Sequence, residues 1–192
     1  MPVYVDSPMA VDVTAIYLRH REEHDLDMRN LANDGRNALR SRQLTLVRSA
    51  VQSKGLNDLN GPIIIIAASG MATGGRILHH LRLRLPDPRT TVLFTGFQAA
   101  GTRGRALLDG TRSVRIFGEE VPVRARTERI DGLSAHADRD ELLKWLAGFG
   151  RPPSRTRLVH GEPQAADCLR AAIEHRLGWP VRVANETEVV TP

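Results

Sequence analysis

The pattern of hydrophobic and polar positions predicts an α/β protein in which a largely parallel sheet is flanked by helices. From Leu44 onward, short runs rich in β-branched residues alternate with segments of helical periodicity, a rhythm typical of parallel strands joined by helices. The predicted strands span residues 2–6, 44–48, 63–68, 91–95, 126–131, 157–159 and 181–184, with a hairpin formed by 114–117 and 120–123. The predicted helices span residues 8–23, 49–56, 76–85, 102–108, 140–147 and 164–176.

Three details of this pattern are specific enough to test. The uninterrupted apolar run Ile63–Ala68 predicts a strand that is buried in the sheet. Residues 25–42 are polar and form the least interpretable stretch of the sequence, in which Asn33-Asp34-Gly35 indicates a turn. Because the strand and helix rhythm starts again after the hairpin, we place a boundary near residue 125, which separates residues 1–125 from residues 126–192.

Composition narrows the class of protein. The longest apolar run is far shorter than the roughly 20 residues of a membrane helix, and the N-terminus has no basic stretch followed by an apolar one. The single cysteine, Cys168, cannot form an internal disulfide, and no CxxC pair is present. We therefore expect a soluble, cytoplasmic protein with no membrane partner.

The charge pattern leaves two interpretations open. The formal net charge is +5, and 25 of the 27 basic residues are arginine. Arginine binds phosphate oxygens through two parallel hydrogen bonds, which favours a nucleic-acid partner. A codon bias toward arginine explains the same excess equally well, so charge alone supports an RNA or DNA partner only weakly.

Two glycine-containing loops follow predicted strands and lead into predicted helices. In the first glycine loop, residues 69–76, free backbone N–H groups and the positive helix end favour an anion, and the candidate ligands are Ser69, Gly70, Thr73, Gly74, Gly75 and Arg76. The second glycine loop, residues 95–105, contains the candidates Thr102 and Arg103. The spacing matches neither a dinucleotide fingerprint nor a Walker loop. Ordinary strand-to-helix turns remain the alternative interpretation of both loops.

Two histidines lie at or just beyond predicted strand ends. His136 and His160 are each followed two residues later by a carboxylate, Asp138 and Glu162 respectively. An imidazole in this position is a good metal ligand or general acid, and a nearby carboxylate orients it. Considered singly, each histidine is more often a structural residue.

A third histidine pattern, HREEH at residues 20–24, matches the H-x-x-E-H signature of inverted zinc proteases. The segment is charged on every side and no third ligand is identified, so an exposed helix face is the preferred interpretation. The adjacent pair His79-His80 cannot chelate one metal together, because neighbouring helical positions point about 100° apart. We predict that this pair lies on the helix surface or at a cleft edge.

Six motifs in order carry a resemblance to a known family. They are PVYVDSPMA at 2–10, ASGMATGGRILHHL at 68–81, TVLFTGFQAAGTRGRALLDG at 91–110, FGEEVPVRA at 117–125, GLSAHAD at 132–138 and LVHGEP at 158–163. Together they resemble the β-CASP branch of the metallo-β-lactamase superfamily, the RNA-processing nucleases that include ribonuclease J and the cleavage-and-polyadenylation endonuclease. The resemblance spans nearly the whole chain.

The resemblance implies roles for particular residues. His136 matches the family's motif B histidine, which helps to protonate the leaving oxygen, and His160 matches the motif C histidine, a ligand of one of two zinc ions. Asp138 and Glu162 resemble the carboxylates that orient these histidines. The first glycine loop matches a region that, in the family, holds the backbone of single-stranded RNA.

The departures from the family pattern matter equally. The H-x-H-x-D-H zinc signature, the further zinc ligands and the acidic motif A are absent from this sequence. Residues 1–125 therefore resemble the later part of a β-CASP domain, and residues 126–192 resemble the C-terminal segment of the lactamase fold. We expect an RNA-binding part of a zinc ribonuclease that is inactive alone and does not hold zinc stably. Its expected partners are RNA and the absent N-terminal half, with a homodimer left open, and a stand-alone non-catalytic RNA-binding or regulatory module is the alternative.

Overall fold

The computed structural model describes residues 1–34, 43–134, 136–185 and 188–189 of the chain. In chain order the elements are β1 (Val3–Asp6), α1 (Pro8–Arg19), α2 (Leu26–Asn33), β2 (Leu44–Leu46), α3 (Ala50–Gly55), β3 (Ile64–Ala67), α4 (Ile77–Arg84), β4 (Thr91–Phe94), α5 (Arg103–Leu108), β5 (Ser113–Ile116), β6 (Glu119–Pro122), β7 (Arg126–Arg129), α6 (Arg139–Ala147), β8 (Thr156–Leu158), α7 (Pro163–Leu177) and β9 (Val181–Val183). Parallel strand pairs alternate with helices, which confirms the predicted fold class.

The chain divides into two compact units, Met1–Gly132 and Leu133–Pro192. The first unit includes β7, because β7 pairs in parallel with β4 over Thr91–Phe94 and Arg126–Arg129. The division into compact units therefore falls a few residues after the predicted boundary near residue 125. The assignment of residues 1–125 and 126–192 to two family segments stays a prediction.

Three parallel strands in the order β2-β1-β3 begin the first unit. The helix that follows β1 starts sharply, because the Ser7 hydroxyl accepts a hydrogen bond from the Ala10 N–H (3.2 Å) and Pro8 occupies the first helical turn. The helix before β3 begins with a capping box in which Ser49 and Gln52 satisfy each other's backbone N–H groups. These caps explain why the predicted helix starts near residues 8 and 49 are confirmed.

The predicted hairpin is confirmed as β5 and β6, which pair antiparallel. Both turn residues, Phe117 and Gly118, have positive φ (51° and 85°), as tight hairpin turns require. One face of this hairpin closes a hydrophobic core with α4, β4 and α5, whose buried members are Ala72, Leu78, Leu81, Leu85, Phe94, Leu107, Val114, Ile116, Val121 and Ala125.

The second unit has its own small core. The strands β8 and β9 pair in parallel, and α6 and α7 pack so that Leu143, Ile173 and Trp179 are buried together. The long helix α7 ends at Leu177 and is followed by Gly178, whose φ of 67° is the left-handed conformation common after a helix. In the described part of the chain, no helix has the length and hydropathy needed to cross a bilayer.

One prediction about the first unit is wrong. The strand over Ile63–Ala68 exists as β3, but it is not buried: Ile64 and Ile66 are 40% and 51% exposed. The polar segment 25–42, for which the sequence predicted only a turn, contains α2, whose first turn is capped when Asp25 accepts a hydrogen bond from the Met28 N–H (2.8 Å). The predicted turn at residues 33–35 lies partly outside the described residues, and α2 ends at Asn33.

Candidate nucleic-acid interface

The first glycine loop connects β3 to α4 and is bent by two residues with left-handed backbone. Ser69 and Ala72 have φ values of 61° and 53° although neither is glycine, and such residues persist only where the surrounding structure holds them. The Ser69 carbonyl accepts a hydrogen bond from the Ala72 N–H (2.8 Å), and its hydroxyl accepts one from the Gly74 N–H (3.3 Å). The Ser69 hydroxyl also lies 3.3 Å from that of Thr73. Ser69 is therefore the internal support of this loop.

Backbone donors remain unused where this loop enters α4. The N–H groups of Thr73, Gly75 and Arg76 donate no hydrogen bond to any residue that the structure describes. Gly75 has a φ of 75°, and a Cβ there or at Gly74 would meet no atom closer than 3.8 Å. Free N–H groups at the positive end of a helix favour an anion. The free N–H groups of the first glycine loop can therefore donate hydrogen bonds to a phosphate oxygen.

The second glycine loop is joined to the first by three contacts. The amide nitrogen of Gln98, which is buried, donates to the Gly70 carbonyl (2.9 Å), and the Gly104 N–H donates to the Met71 carbonyl (2.9 Å). The Arg103 guanidinium donates to the Ala72 carbonyl and to that of Arg115. The structure thus brings the two loops together, although β3 and β4 are not paired with each other in a sheet.

Arg76 and Thr102, two further candidates, make hydrogen bonds within the protein. Arg76 donates to the Asp6 carboxylate (2.8 Å) and to the carbonyls of Val47 (3.3 Å) and Arg48 (3.1 Å). Thr102 caps α5, since its hydroxyl accepts from the Arg105 N–H (3.2 Å). A direct contact of Arg76, Arg103 or Thr102 with RNA stays a prediction, and their observed contacts position the backbone of the loops.

A buried polar cluster lies beside the first glycine loop, built around the Asp6 carboxylate. Asp6 accepts hydrogen bonds from the Ser53 hydroxyl (2.5 Å), His80 Nε2 (2.8 Å) and Arg76, while His80 Nδ1 contacts Asn57 (3.1 Å). Burial raises the pKa of the Asp6 carboxyl, but the hydrogen bonds from Ser53, His80 and Arg76 together hold it below its ordinary value. Asp6 is therefore a buried anion that holds Arg76 under the loop.

Sequence reasoning missed most of this cluster. The prediction that His79 and His80 both lie at the surface is wrong for His80, which is 3% exposed, whereas His79 is exposed and stacks against Phe117. His80 is buried because its imidazole bridges two polar partners inside the unit. The available signal was Asp6, a carboxylate at the carboxyl end of a strand, where side chains of different elements meet.

The two site histidines lie in loops of the second unit. His136 is exposed and precedes α6; its Nδ1 lies 3.5 Å from the Ser134 hydroxyl, which also accepts from the His136 N–H (3.2 Å). Asp138 caps α6 in a capping box with Glu141. Ser134 is thus a contact of His136 that the sequence did not predict, and a contact between Asp138 and His136 stays a prediction.

His160 follows β8 and has a φ of 63°. Histidine is among the few residues enriched in this left-handed region, and strained positions of this kind cluster at functional sites. His160 is exposed, and Glu162 forms the start of α7. The convergence of His136, His160 and the first glycine loop, and the pairing of Glu162 with His160, stay predictions.

The protease-like pattern at residues 20–24 does not form the expected helix face. Helix α1 ends at Arg19, and His20 leaves helical geometry with a ψ of 66°. His20 contacts Glu22 (2.9 Å), whereas His24 is 5% exposed and contacts the Tyr17 carbonyl (2.8 Å). The interpretation as an exposed helix face is therefore wrong for His24, because the chain turns after Arg19 and buries the His24 ring against Tyr17. Arg21–Glu23 form a short exposed 3-10 helix.

The described residues do not form a zinc site by themselves. No group of three His, Cys, Asp or Glu side chains placed to hold a metal ion occurs among them. A catalytic zinc takes about three protein ligands plus a water molecule. One motif histidine, His160, is therefore insufficient.

Two family models match consecutive parts of the chain. The Beta-Casp domain model matches residues 1–107, more than half of the chain. This chain belongs to the β-CASP family. The model of the Zn-dependent metallo-hydrolase RNA specificity domain matches residues 120–184. The family resemblance that the six motifs carry is thereby confirmed.

Among the proteins similar to this β-CASP chain are a ribonuclease, a transcription termination factor and an RNase J-like protein. Ribonuclease TTHA0252 of Thermus thermophilus is 42% identical over 163 residues, which cover 85% of this chain and 37% of that protein. Transcription termination factor FttA of Pyrococcus abyssi is 34% identical over 195 residues, covering 98% of this chain and 30% of that protein. An RNase J-like protein of Methanocaldococcus jannaschii is 30% identical over 162 residues, covering 84% and 36%. The chain spans about a third of the length of these relatives.

Proposed function

We propose that this chain is the RNA-binding and specificity part of a zinc-dependent ribonuclease that hydrolyses RNA phosphodiesters. The observation that carries the proposal is the first glycine loop, where unused N–H groups of Thr73, Gly75 and Arg76 meet the start of α4. Membership of the β-CASP family and the match to an RNA specificity domain support RNA as the anion. The attached second glycine loop suits successive phosphates of a single strand.

The roles proposed for the second unit follow from the family. His136 protonates the leaving oxygen, and His160 supplies one ligand to a zinc pair whose other ligands lie in the N-terminal half of the complete enzyme. When bound, the zinc ions activate water and stabilise the charge of the phosphate. Two observations support these roles. His160 has a left-handed backbone, and the His136 N–H is held by a hydrogen bond to the Ser134 hydroxyl.

Gly74→Asp should weaken the binding of a single-stranded RNA of about twelve nucleotides roughly tenfold. A carboxylate placed among the unused N–H groups repels phosphate, whereas the fold tolerates a side chain there, since no atom lies within 4 Å of the added Cβ. Fluorescence anisotropy across a salt series measures the effect. The slope of log affinity against log salt should shrink by about one for the lost phosphate contact.

Gly55→Asp is the matched control, because it makes the same charge change in α3 and also has open space at its Cβ. It should change RNA affinity by less than about twofold, which represents the long-range effect of one charge. If both variants weakened RNA binding equally and left the salt dependence unchanged, the result would contradict a phosphate-binding role for the first glycine loop.

The purified 192-residue chain should bind RNA without cleaving it, even when zinc is added, because the residues that the structure describes supply too few ligands for a catalytic zinc. Joining the residues of ribonuclease TTHA0252 that precede its aligned region ahead of Met1 should produce zinc-dependent cleavage that His136→Ala abolishes. Gel assays with labelled RNA measure both outcomes. Zinc-dependent cleavage by the chain alone would falsify the proposed division of labour, and an inactive but RNA-binding fusion would favour the non-catalytic module.

A further inference from the structure

Two exposed aromatic rings meet beside the start of α4. Phe117 lies at the tip of the β5–β6 hairpin and is 53% exposed, and His79 lies on α4 and is also exposed. Their ring centroids are 4.7 Å apart, and the ring planes make an angle of 34°. This separation is within the range of aromatic pairs that attract each other. We name these two rings the hairpin platform, and much of the platform is open to solvent.

The backbone at Phe117 favours a different kind of residue. The hairpin loop consists of Phe117 and Gly118, and both residues have positive φ, 51° and 85°. Asparagine, aspartate and glycine are preferred at the first position of such a turn, because a bulky side chain is strained in the left-handed region. A turn that only joined two strands would have no need of an aromatic ring there. Strained residues cluster at ligand sites, so Phe117 is a candidate for a function beyond the turn.

Side chains of α4 and α5 fix the hairpin beside the first glycine loop. The Arg103 guanidinium joins that loop to β5, since it donates to the Ala72 carbonyl and to the Arg115 carbonyl (2.7 and 3.0 Å). Arg82 of α4 donates to both carboxylate oxygens of Glu119 (2.9 and 3.1 Å). The hairpin platform is therefore held next to the loop, and the charge of the neighbouring Glu119 is compensated by Arg82.

The platform is close to the backbone donors of the first glycine loop. His79 follows Arg76 by three positions, which corresponds to about 4.5 Å along the axis of α4, and its N–H donates to the Arg76 carbonyl (3.1 Å). Helical side chains lean toward the N-terminal end of their helix. The His79 ring therefore lies toward the turn where the N–H groups of Gly75 and Arg76 donate to no described residue. A phosphate bound there brings the base of the same or the next nucleotide within reach of the platform.

We propose that the hairpin platform is a nucleobase subsite: a base of single-stranded RNA stacks on Phe117 and His79 while the first glycine loop holds the phosphate backbone. The inference rests on the proposed function and adds to it the place where a base is bound. Unpaired RNA bases stack on aromatic side chains, histidine included. Stacking uses the π-face that every base has. The subsite therefore contributes affinity for single strands and little preference for sequence.

Phe117→Asn tests the subsite and preserves the turn, because asparagine suits the left-handed backbone. It should weaken the binding of a single-stranded RNA of about twelve nucleotides roughly tenfold, the loss of one stacked base. The melting temperature of the chain should not fall. The affinity for an abasic oligonucleotide of the same length and charge should stay the same, since no base is there to stack. Phe117→Trp should retain the affinity for RNA, and fluorescence anisotropy measures each of these affinities.

His79→Ala is a second variant of the same subsite, and it leaves the hairpin turn unchanged. It should weaken RNA binding roughly fivefold, again without an effect on the abasic oligonucleotide. A spectroscopic signal reports stacking directly when the adenines of the RNA are replaced by 2-aminopurine, whose fluorescence is quenched by stacking. At saturating protein, Phe117→Asn and His79→Ala should each quench this RNA less than the unmodified chain does.

Leu26→Asn is the matched control, since it removes a side chain of 72% exposure from the start of α2, outside the hairpin and both glycine loops. Its RNA affinity should change by less than about twofold, as for a surface substitution away from a site. The proposal is overturned if Phe117→Asn and His79→Ala bind RNA as tightly as this control, the result expected if the platform contacts a protein instead. Equal losses for RNA and the abasic oligonucleotide also overturn it. Either result leaves the proposed function standing if Gly74→Asp still weakens binding, whereas an unmodified chain that bound no RNA would contradict both proposals.

Discussion

Replacing Asp6 with Ala is expected to lower the free energy of unfolding by about 3–5 kcal/mol, the range seen when one partner of a buried ion pair is removed. The Asp6 side chain is fully buried and accepts hydrogen bonds from Ser53, Arg76 and His80. Without it, the buried imidazole and the partly exposed guanidinium lose the partner that they share. Urea unfolding followed by circular dichroism measures the loss. Asp109→Ala is the control, because Asp109 forms an exposed ion pair with Arg105, worth less than about 1 kcal/mol.

The pH dependence of unfolding distinguishes the buried carboxylate from a merely well-packed residue. The pKa of Asp6 is lowered in the folded state by the hydrogen bonds that outweigh its burial. Its stabilisation is therefore present above about pH 4 and is lost as the pH falls through the lower folded value. Between roughly pH 2 and 6 the stability of Asp6→Ala should fall less steeply than that of Asp109→Ala. Parallel curves for the two variants would contradict the role of Asp6 as a buried anion.

Gly104→Ala is expected to destabilise the protein by about 1–3 kcal/mol, although alanine normally favours a helix by about 1 kcal/mol over glycine. A Cβ at Gly104 would lie 1.8 Å from Gln98 Oε1 and 3.1 Å from the Met71 carbonyl. Relieving that clash displaces the Gln98 amide from the carbonyls of Gly70 and Phe97. One of the three contacts that join the two glycine loops should therefore be lost, with weaker RNA binding as a second readout.

A helical glycine without neighbours provides the comparison. Gly55→Ala in α3 meets no atom within 4 Å, so it should be neutral or stabilising by up to about 1 kcal/mol. In a Gln98→Ala background the cost of Gly104→Ala should largely disappear, because the colliding side chain is gone. An unchanged cost in that background would show that the Met71 carbonyl, and not Gln98, sets the requirement for glycine.

Local chemistry explains how much of the fold was predictable. The capping residues Ser7 and Ser49 and the turn at Gly118 act within a few positions of themselves, so the elements beside them were predicted near their true bounds. Helix α2 was missed because its cap, Asp25, precedes a polar segment without an apolar stripe. The end of α1 at Arg19 was missed because burial of His24 against Tyr17 is a contact across the turn.

The residues of the candidate site also divide into those that local sequence predicts and those that it does not. Ser69, Gly74 and Gly75 were recognisable because a glycine-rich loop between a strand and a helix frees backbone donors whatever surrounds it. Gln98 and Asp6 were not, because their importance comes from partners that lie far away in sequence. For Arg76, the sequence predicted its position at the loop but not its contact with Asp6.

By itself the sequence determined the α/β class, the two glycine loops and, through its six motifs, the family, since these depend on periodicity and on the order of short segments. Only the tertiary structure decided that β3 has an exposed face, that His80 is buried on Asp6, and that the two loops are joined through Gln98. The physical reason is that burial and hydrogen-bond partnership are properties of pairs of residues, and an apolar run such as Ile63–Ala68 carries no record of which surface covers it.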